Sequence, residues 1–563
     1  MVQFFKQVLG TIVGLVIFSV LSFIFLMVII ASASSSVVSV PKRSVIEINM
    51  RGVMNERSEE DLSSLIDNNA EQAMGLDDVL DVLKNAKDDN RIYAVLLKMD
   101  NFQADYAMLG EIRTALDELK NSGKYVFAYS DNYSQSEYYV ASVADTVIMN
   151  PYGSLDIHGL ALKSMFYKGL MDNLGVEMQI VKVGEYKSAT EVFTEVKMSD
   201  ANREQSAKLV EDLWGNMKKD ISASRNIDEA DVQAAADSFM AYRPAESAMP
   251  KFVDLLLYED DVYDFVEKET GVVDKVSMED YLSCLEKESG MSSDKVAVVY
   301  AVGEIGDDLE GVNYKKLAKE IDKIEKDSSV KAIVLRVNSP GGSAFGSELI
   351  WKALNDARKT KPVVVSMSGY AASGGYYISC MADKIVSSPY TLTGSIGIYG
   401  MIPNLEGVTN KVGLSTDVVK SSEFADSPDL FRPMTERERH IVQQNVNRGY
   451  DLFIKRCADG RKVKAEDISN LAQGRVWSGV SALSNGLVDT LGSLDDAVKI
   501  AAKIANIEEY SIAKYPAKKT LMDRLLEKSQ VKMGPGLDIE REVLHKLKRM
   551  EKLQAKMPKV VVE

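Results

Sequence analysis

The segment Ser368-Gly369-Tyr370-Ala371-Ala372-Ser373-Gly374-Gly375 sets a serine among small residues at the start of a helical pattern, Tyr376 to Met381. A hydroxyl there can be approached closely, and the N–H that follows it can help to hold a developing oxyanion. Upstream, the apolar run Ile333 to Val337 ends in Asn338-Ser339-Pro340-Gly341-Gly342, a turn whose glycines let backbone N–H groups point into a site. Either turn alone reads as a plain chain reversal; the two together are more specific. A serine hydroxyl needs a base. The three histidines, His158, His440 and His545, stand without a nearby acidic or cysteine partner in sequence, which gives a His-based triad or metal site little support. Lysine is the economical alternative. Its ordinary pKa near 10.4 must fall by roughly 2 to 3 units through burial before it accepts a proton near neutrality.

A duplication singles out one lysine. Residues 94–187 fall on 332–425 without a gap, at a constant offset of 238 (94 onto 332). Ala94 falls on Ala332, Leu97 on Leu335, Tyr138-Tyr139 on Tyr376-Tyr377, Ala144-Asp145 on Ala382-Asp383, Gly159 on Gly397 and Gly175 on Gly413. The copies differ where chemistry is expected. Ser373 corresponds to Gln135, Gly374 to Ser136, Gly341 to Gln103 and Gly342 to Ala104, whereas Lys187 of the first copy corresponds to Ala425 of the second. Lys182 aligns with Lys420, so a lysine kept in both copies reads as scaffold. Complementary loss is what a single composite site shared between unlike repeats would leave. Divergence for structural reasons stays open, as does a plain salt bridge between Lys187 and Glu185.

The elements that must position these residues follow the same repeat. In each copy a β-rich run (Ala94 to Leu97; Ile333 to Val337) precedes a helical pattern (Leu109 to Leu119; Leu349 to Arg358) and a second strand (Tyr125 to Tyr129; Val363 to Met367). That is a βαβ unit. Repeated, it predicts an α/β fold with a mainly parallel sheet, whose sites lie beyond the carboxyl ends of the strands.

With 563 residues the chain is too long for one core, and 46% hydrophobic with 27% charged residues is an ordinary globular balance. A net charge of −16 without a basic block argues against nucleic acid as a partner. Cys284, Cys380 and Cys457 are too few and too far apart for a disulfide framework or a zinc site, and read as core thiols. Val8 to Ala31 is an almost unbroken apolar run, long enough to cross a bilayer as a helix. It is longer than the usual apolar core of a cleaved signal, so an uncleaved signal anchor with an exported body is expected. The resulting division is an anchor and spacer over 1–40, a lysine-bearing repeat over 41–290, a serine-bearing repeat over 291–505 and a tail over 506–563. In that tail Ile539 to Lys556 is basic and amphipathic, a pattern for a solvated helix or a mobile tail, with membrane or partner binding as the alternative.

Asn338 to Gly342, Ala371 to Tyr376, Thr393-Gly394-Ser395-Ile396-Gly397 and Tyr186-Lys187-Ser188-Ala189 together resemble the signal peptide peptidase A family in its long two-repeat bacterial form, a peptidase branch of the ClpP/crotonase superfamily. The resemblance covers nearly the whole chain. It implies two tandem ClpP/crotonase-like repeats behind one transmembrane helix, with Ser373 as nucleophile, Lys187 as general base, Ser395 orienting the lysine, and the N–H groups of Gly342 and Gly374 as oxyanion donors. It further implies endoproteolysis of cleaved signal peptides and other unfolded apolar peptides at the bacterial cytoplasmic membrane, with the body on the periplasmic side. No cofactor or metal enters that chemistry. A homo-oligomeric ring, with a tetramer as its expected size, is implied as well. Two rivals remain at this point: a crotonase-like acyl-CoA enzyme, and a non-catalytic membrane scaffold.

Overall fold

The computed structural model describes residues 2–33, 40–58, 74–288, 292–307, 311–518 and 554–557. Parallel strands form where the apolar runs lie. In the first repeat Ser44–Asn55, Ile92–Gln103, Tyr125–Ser130 and Thr146–Met149 are neighbours in that order. In the second, Lys295–Val302, Val330–Ser339, Val363–Ala372 and Lys384–Ser387 reproduce it. Runs such as Val363-Val364-Val365 are fully buried, as expected of strands covered on both faces by helices. Parallel pairing needs a crossover, supplied by Tyr106–Asn121 and Ala344–Ala357. Each opens on a side-chain cap, Asp105 accepting from Met108 N at 3.0 Å and Ser343 from Gly346 N at 3.1 Å.

The duplication reaches further than a gapless alignment can follow. Val45 and Val296 (offset 251) occupy the same place beside Ala94 and Ala332. Beyond Lys187 the long helix Asp200–Arg225 recurs as Glu436–Arg461 (offset 236). Lys275–Ser277 and Ser511–Tyr515 each add a strand beside the first strand of their own repeat.

A third sheet joins the two halves, in the order Val312–Asn313, Ile305–Gly306, Gly341–Ser343, Gln554–Lys556, Ile398–Asn404, Glu177–Val183. Glu177–Val183 of the first repeat runs antiparallel to Ile398–Asn404 of the second, from Asn404 opposite Glu177 to Ile398 opposite Val183. Their counterparts in the other repeat, residues 415–421 and 160–166, form no strand. The cores merge as well, since one buried cluster runs from Val95 and Leu116 to Ala372, Leu392 and Val476.

Val2–Ala33 is a single helix of 32 residues. Its side chains are described for Lys6, Gln7 and residues 9–22, where Leu9, Ile12, Val16, Phe18 and Leu21 are exposed. Among the described residues no helix is long and apolar enough to cross a membrane. At the other end, residues 539–553 of the amphipathic pattern lie outside the described residues. Gln554–Lys556 is a strand instead of the end of a helix, because its backbone finds ladder partners on Gly341–Ser343.

Candidate active site

Lys187 is delivered by the strand Glu177–Val183 and a tight reversal. Gly184 (φ +110°) lies so close to the Gln473 carbonyl that a Cβ would sit 2.5 Å from it, and Tyr186 N donates to the same oxygen at 2.9 Å. The next turn of the second repeat closes over the lysine. Gly474 (φ +79°) has no room for a side chain, since its Cβ would come within 2.7 Å of Lys187 N and Cβ. Gln205 pins the arrangement from the long helix Asp200–Arg225, donating to Tyr186 O at 3.1 Å and accepting from Val476 N at 3.1 Å. The lysine of one repeat is thus threaded into the other.

Ser373 lies where Val363–Ala372 gives way to the helix Gly374–Ser379, with φ +55° and ψ −113°. A non-glycine residue held at positive φ costs on the order of 1–3 kcal/mol, maintained here by Ser373 N donating to Gly394 O and Tyr377 N donating to Ser373 O, both at 2.8 Å. Ser395 is held in the same unusual region (φ +50°), its N–H donating to Arg475 O at 2.7 Å. Strain gathers on two hydroxyls that face one amine.

Lys187 Nζ is 2.8 Å from Ser373 Oγ, 3.0 Å from Ser395 Oγ and 2.9 Å from Ser395 O. All three side chains are buried, Lys187 with no exposed surface. Burial pushes the lysine pKa down to about 7, with no carboxylate among the described residues to compensate it. Glu185 is exposed to solvent, so the salt-bridge reading of Lys187 is corrected: the partners of its amine are neutral. A neutral amine has two N–H donors and one lone pair. The Ser395 carbonyl can only accept, which fixes one donor; Ser395 Oγ can take the other, leaving the lone pair for the Ser373 hydroxyl proton. This is the arrangement a general base for a serine requires.

The glycine turn is built on a register break. Val337 pairs with Met367 but Ser339 pairs with Ala371, so Ser368, Gly369 and Tyr370 bulge opposite the single residue Asn338, where the strands lead on to Gly341 and to Ser373. The Asn338 side chain replaces the missing ladder: Oδ1 accepts from Tyr370 N at 3.1 Å, and Nδ2 donates to Glu56 at 3.0 Å and towards Asp105 at 3.4 Å. Arg336 pairs with Glu56 at 2.8 Å and Glu111 at 2.6 Å behind it. With three carboxyls around one guanidinium, burial and the neighbouring Glu56 push Asp105 up to about 6. The first repeat thus holds the second repeat's glycine turn through Asn338. Gly341 and Gly342 follow at φ +99° and +150°, and the Gly374–Ser379 helix packs against them, Gly375 lying against Ser339 O.

His158 corrects one sequence reading, for it does have an acidic partner, Asp156 at 3.0 Å, in an exposed pair. His440 meets Gln444 at 3.0 Å, and neither ring is bonded to Ser373; His545 lies outside the described residues. Cys284, Cys380 and Cys457 are buried thiols.

The chain belongs to the class of serine peptidases. The model of Peptidase family S49 matches residues 118–273 and 355–508, one block in each repeat, and that of Clp protease matches 295–391. The chain is 39% identical over 474 residues to Protease 4 of Salmonella typhi, covering 81% of this chain and 76% of that one. It is 35% identical over 514 residues to Protease 4 of Haemophilus influenzae, covering 86% and 83%. A putative signal peptide peptidase SppA of Enterococcus faecium is 33% identical over 236 residues, 40% of this chain and 69% of that one. The chain belongs to peptidase family S49, with two S49 repeats on a ClpP-like α/β fold. The acyl-CoA and scaffold readings fall with that assignment.

Proposed function

We propose that this chain is a membrane-anchored endopeptidase in which Lys187 is the general base and Ser373 the nucleophile, and that it degrades cleaved signal peptides and other unfolded apolar segments. The observation that carries the reading is the 2.8 Å approach of Lys187 Nζ to Ser373 Oγ in surroundings that bring the amine to about pKa 7. Lys187 takes the hydroxyl proton as Ser373 Oγ attacks the peptide carbonyl. The N–H groups of Gly342 and Gly374 receive the oxyanion, and Ser395 keeps the amine aimed. The lysine then gives its proton to the leaving amine, and it draws a proton from the water that splits the acyl-enzyme. The signal-peptide substrate is supported by the name of the Enterococcus faecium relative. The membrane is supported by the sequence, in which Val8 to Ala31 is an almost unbroken apolar run of a length that suits a bilayer. In this reading the body stands on the periplasmic side of the bacterial inner membrane. Full-length protein in liposomes should consume a cleaved signal peptide and spare a folded soluble protein, with Ser373→Ala inert. Equal cleavage of both, or an untouched signal peptide beside a hydrolysed soluble one, would reject the substrate assignment.

The strand junction between the repeats supports a ring as part of the same proposal. Residues 160–166 and 415–421 correspond to the two strands that pair inside the chain, and Met165, Val418 and Val419 are exposed, Val419 almost completely. In the proposed ring these segments pair between neighbouring chains in the same register, Lys163 opposite Val418. That junction lacks the dyad, since Gln135 and Ala425 stand where Ser373 and Lys187 would be. A Lys163→Cys, Val418→Cys protein should cross-link between chains on oxidation; bands at single-chain mass only would reject the register.

A further inference from the structure

Arg336 has no exposed surface and lies between Glu56 and Glu111 of the first repeat, while donating to Ser366 Oγ at 2.9 Å and Ser368 Oγ at 3.1 Å. A buried ion cluster of this kind is a poor source of stability, since well-packed apolar residues of similar volume do as well or better. What the cluster does achieve is geometric. Glu56 Oε1 accepts from Asn338 Nδ2 at 3.0 Å, and Asn338 Oδ1 accepts from Tyr370 N at 3.1 Å. These bonds tie the position four residues before Gly342 to the position three residues before Ser373. Asp105, also of the first repeat, closes the cluster against Gly369, where a Cβ would sit 2.6 Å from Asp105 Oδ2.

Among the described residues this cluster occurs once. In the register of the duplication Arg336 corresponds to Lys98, Asn338 to Asp100, Asp105 to Ser343 and Glu111 to Leu349, so none of the four is kept. Lys98 bonds to Glu259 and Tyr263 inside its own repeat, Asp100 is exposed, and Ser343 caps its own helix. A device for general stability would be expected in both copies. This one stands only at the junction that brings Lys187 to Ser373.

We propose that Asn338 is a positioning residue of the peptidase reaction: anchored to Glu56 of the first repeat, it sets the separation between the Gly341-Gly342 turn and Ser373. The proposal rests on the reading of Ser373 as nucleophile and of that turn as its oxyanion site. One planar amide offers an acceptor to Tyr370 N–H and a donor to the Glu56 carboxylate at fixed spacing. An aspartate would keep the first bond and set carboxylate against carboxylate at the second. The turn would then shift, and a misplacement on the order of 1 Å costs about 10²-fold in rate.

Full-length Asn338→Asp, Glu56→Gln and the double variant are compared on a fluorogenic apolar peptide, with rates normalised to the Ser373 sites that a fluorophosphonate labels at completion. Asn338→Asp should lower kcat about 10²-fold and leave KM within about twofold. Glu56→Gln sets an amide NH₂ against one of two donors, Arg336 Nε or Asn338 Nδ2, and should lower kcat about tenfold. The double variant reverses donor and acceptor in the bond and keeps the number of carboxyls around Arg336. It should recover kcat to within about threefold of wild type, far from the product of the single effects. The bend of acylation near pH 7 should stay in place, because Ser395 and not this cluster holds the amine. Wild-type kcat in Asn338→Asp, or a double variant as slow as the product of the singles, would overturn the positioning role and leave the peptidase reading standing. A bend displaced from pH 7 would overturn it too, by moving the effect to Lys187. If Asn338→Asp alone does not fold, a double variant faster than Glu56→Gln supports the role, and one no faster overturns it. Wild-type protein that takes up no label would remove the peptidase reading and the proposal with it.

Discussion

Lys187→Ala should lower peptide-bond hydrolysis by about 10⁴-fold or more, and Ser373→Ala by as much, with the double variant little worse than either. In the proposed mechanism the two side chains act as a unit: without Lys187 the Ser373 hydroxyl keeps its proton, and without Ser373 the amine has nothing to activate. The folded state should survive both changes. Lys187 is wholly buried and its amine has no ionic partner among the described residues, so its removal deletes a group whose burial disfavours its charge. Steady-state hydrolysis, with circular dichroism and thermal melts beside it, checks both halves of the statement. Substantial activity in purified Lys187→Ala would mean that another base serves Ser373.

Gly342→Ala should cost about 10²–10³-fold in kcat, the usual effect of losing an oxyanion donor. The backbone there has φ +150°, and an added Cβ would sit 2.2 Å from Ile305 O and 2.7 Å from Ile305 N. Those are backbone atoms of the adjoining strand, so the turn must move and take its N–H with it. Gly123→Ala is the control: Gly123 also has positive φ, at +91°, but a Cβ there meets nothing within 4 Å. It should lose about 1 kcal/mol of stability and keep its activity. Equal activity of the Gly342 and Gly123 variants would remove Gly342 from the oxyanion role.

The meeting of Lys187 with Ser373 was legible because the repeats lose complementary residues: Ser373 against Gln135 and Lys187 against Ala425 stand out once the copies are in register. The pieces that were not legible act across long separations with residue types that attract no notice. Asn338 meets Glu56 from 282 positions away, and Gln205 reaches Val476 across 271. Gly474, which makes room for Lys187, lies beyond the gapless block, where the offset has already changed from 238 to 236. The choice of strands in the joining sheet was hidden too. Residues 398–404 and 160–166 descend from the same segment, and the first is a strand because it finds partners in Glu177–Val183 and Gln554–Lys556. Tail residues 554–556 carry a helical amphipathic pattern, which lost to the open edges of two strands beside the site. Local pattern yields where tertiary partners satisfy the backbone better.

In the proposed mechanism a buried, neutral lysine from one repeat activates the serine of the other. The pH dependence of Ser373 acylation by a fluorophosphonate tests it most directly, because it reports the proton on Lys187 without later steps of turnover. The protonated amine cannot accept the hydroxyl proton. The rate should therefore climb about tenfold per pH unit in acid, bend near pH 7 where Lys187 loses its proton, and stay level above. A rate that is flat from mildly acidic to alkaline pH in folded protein, or one that bends near 10.4 as for a solvated lysine, would contradict it.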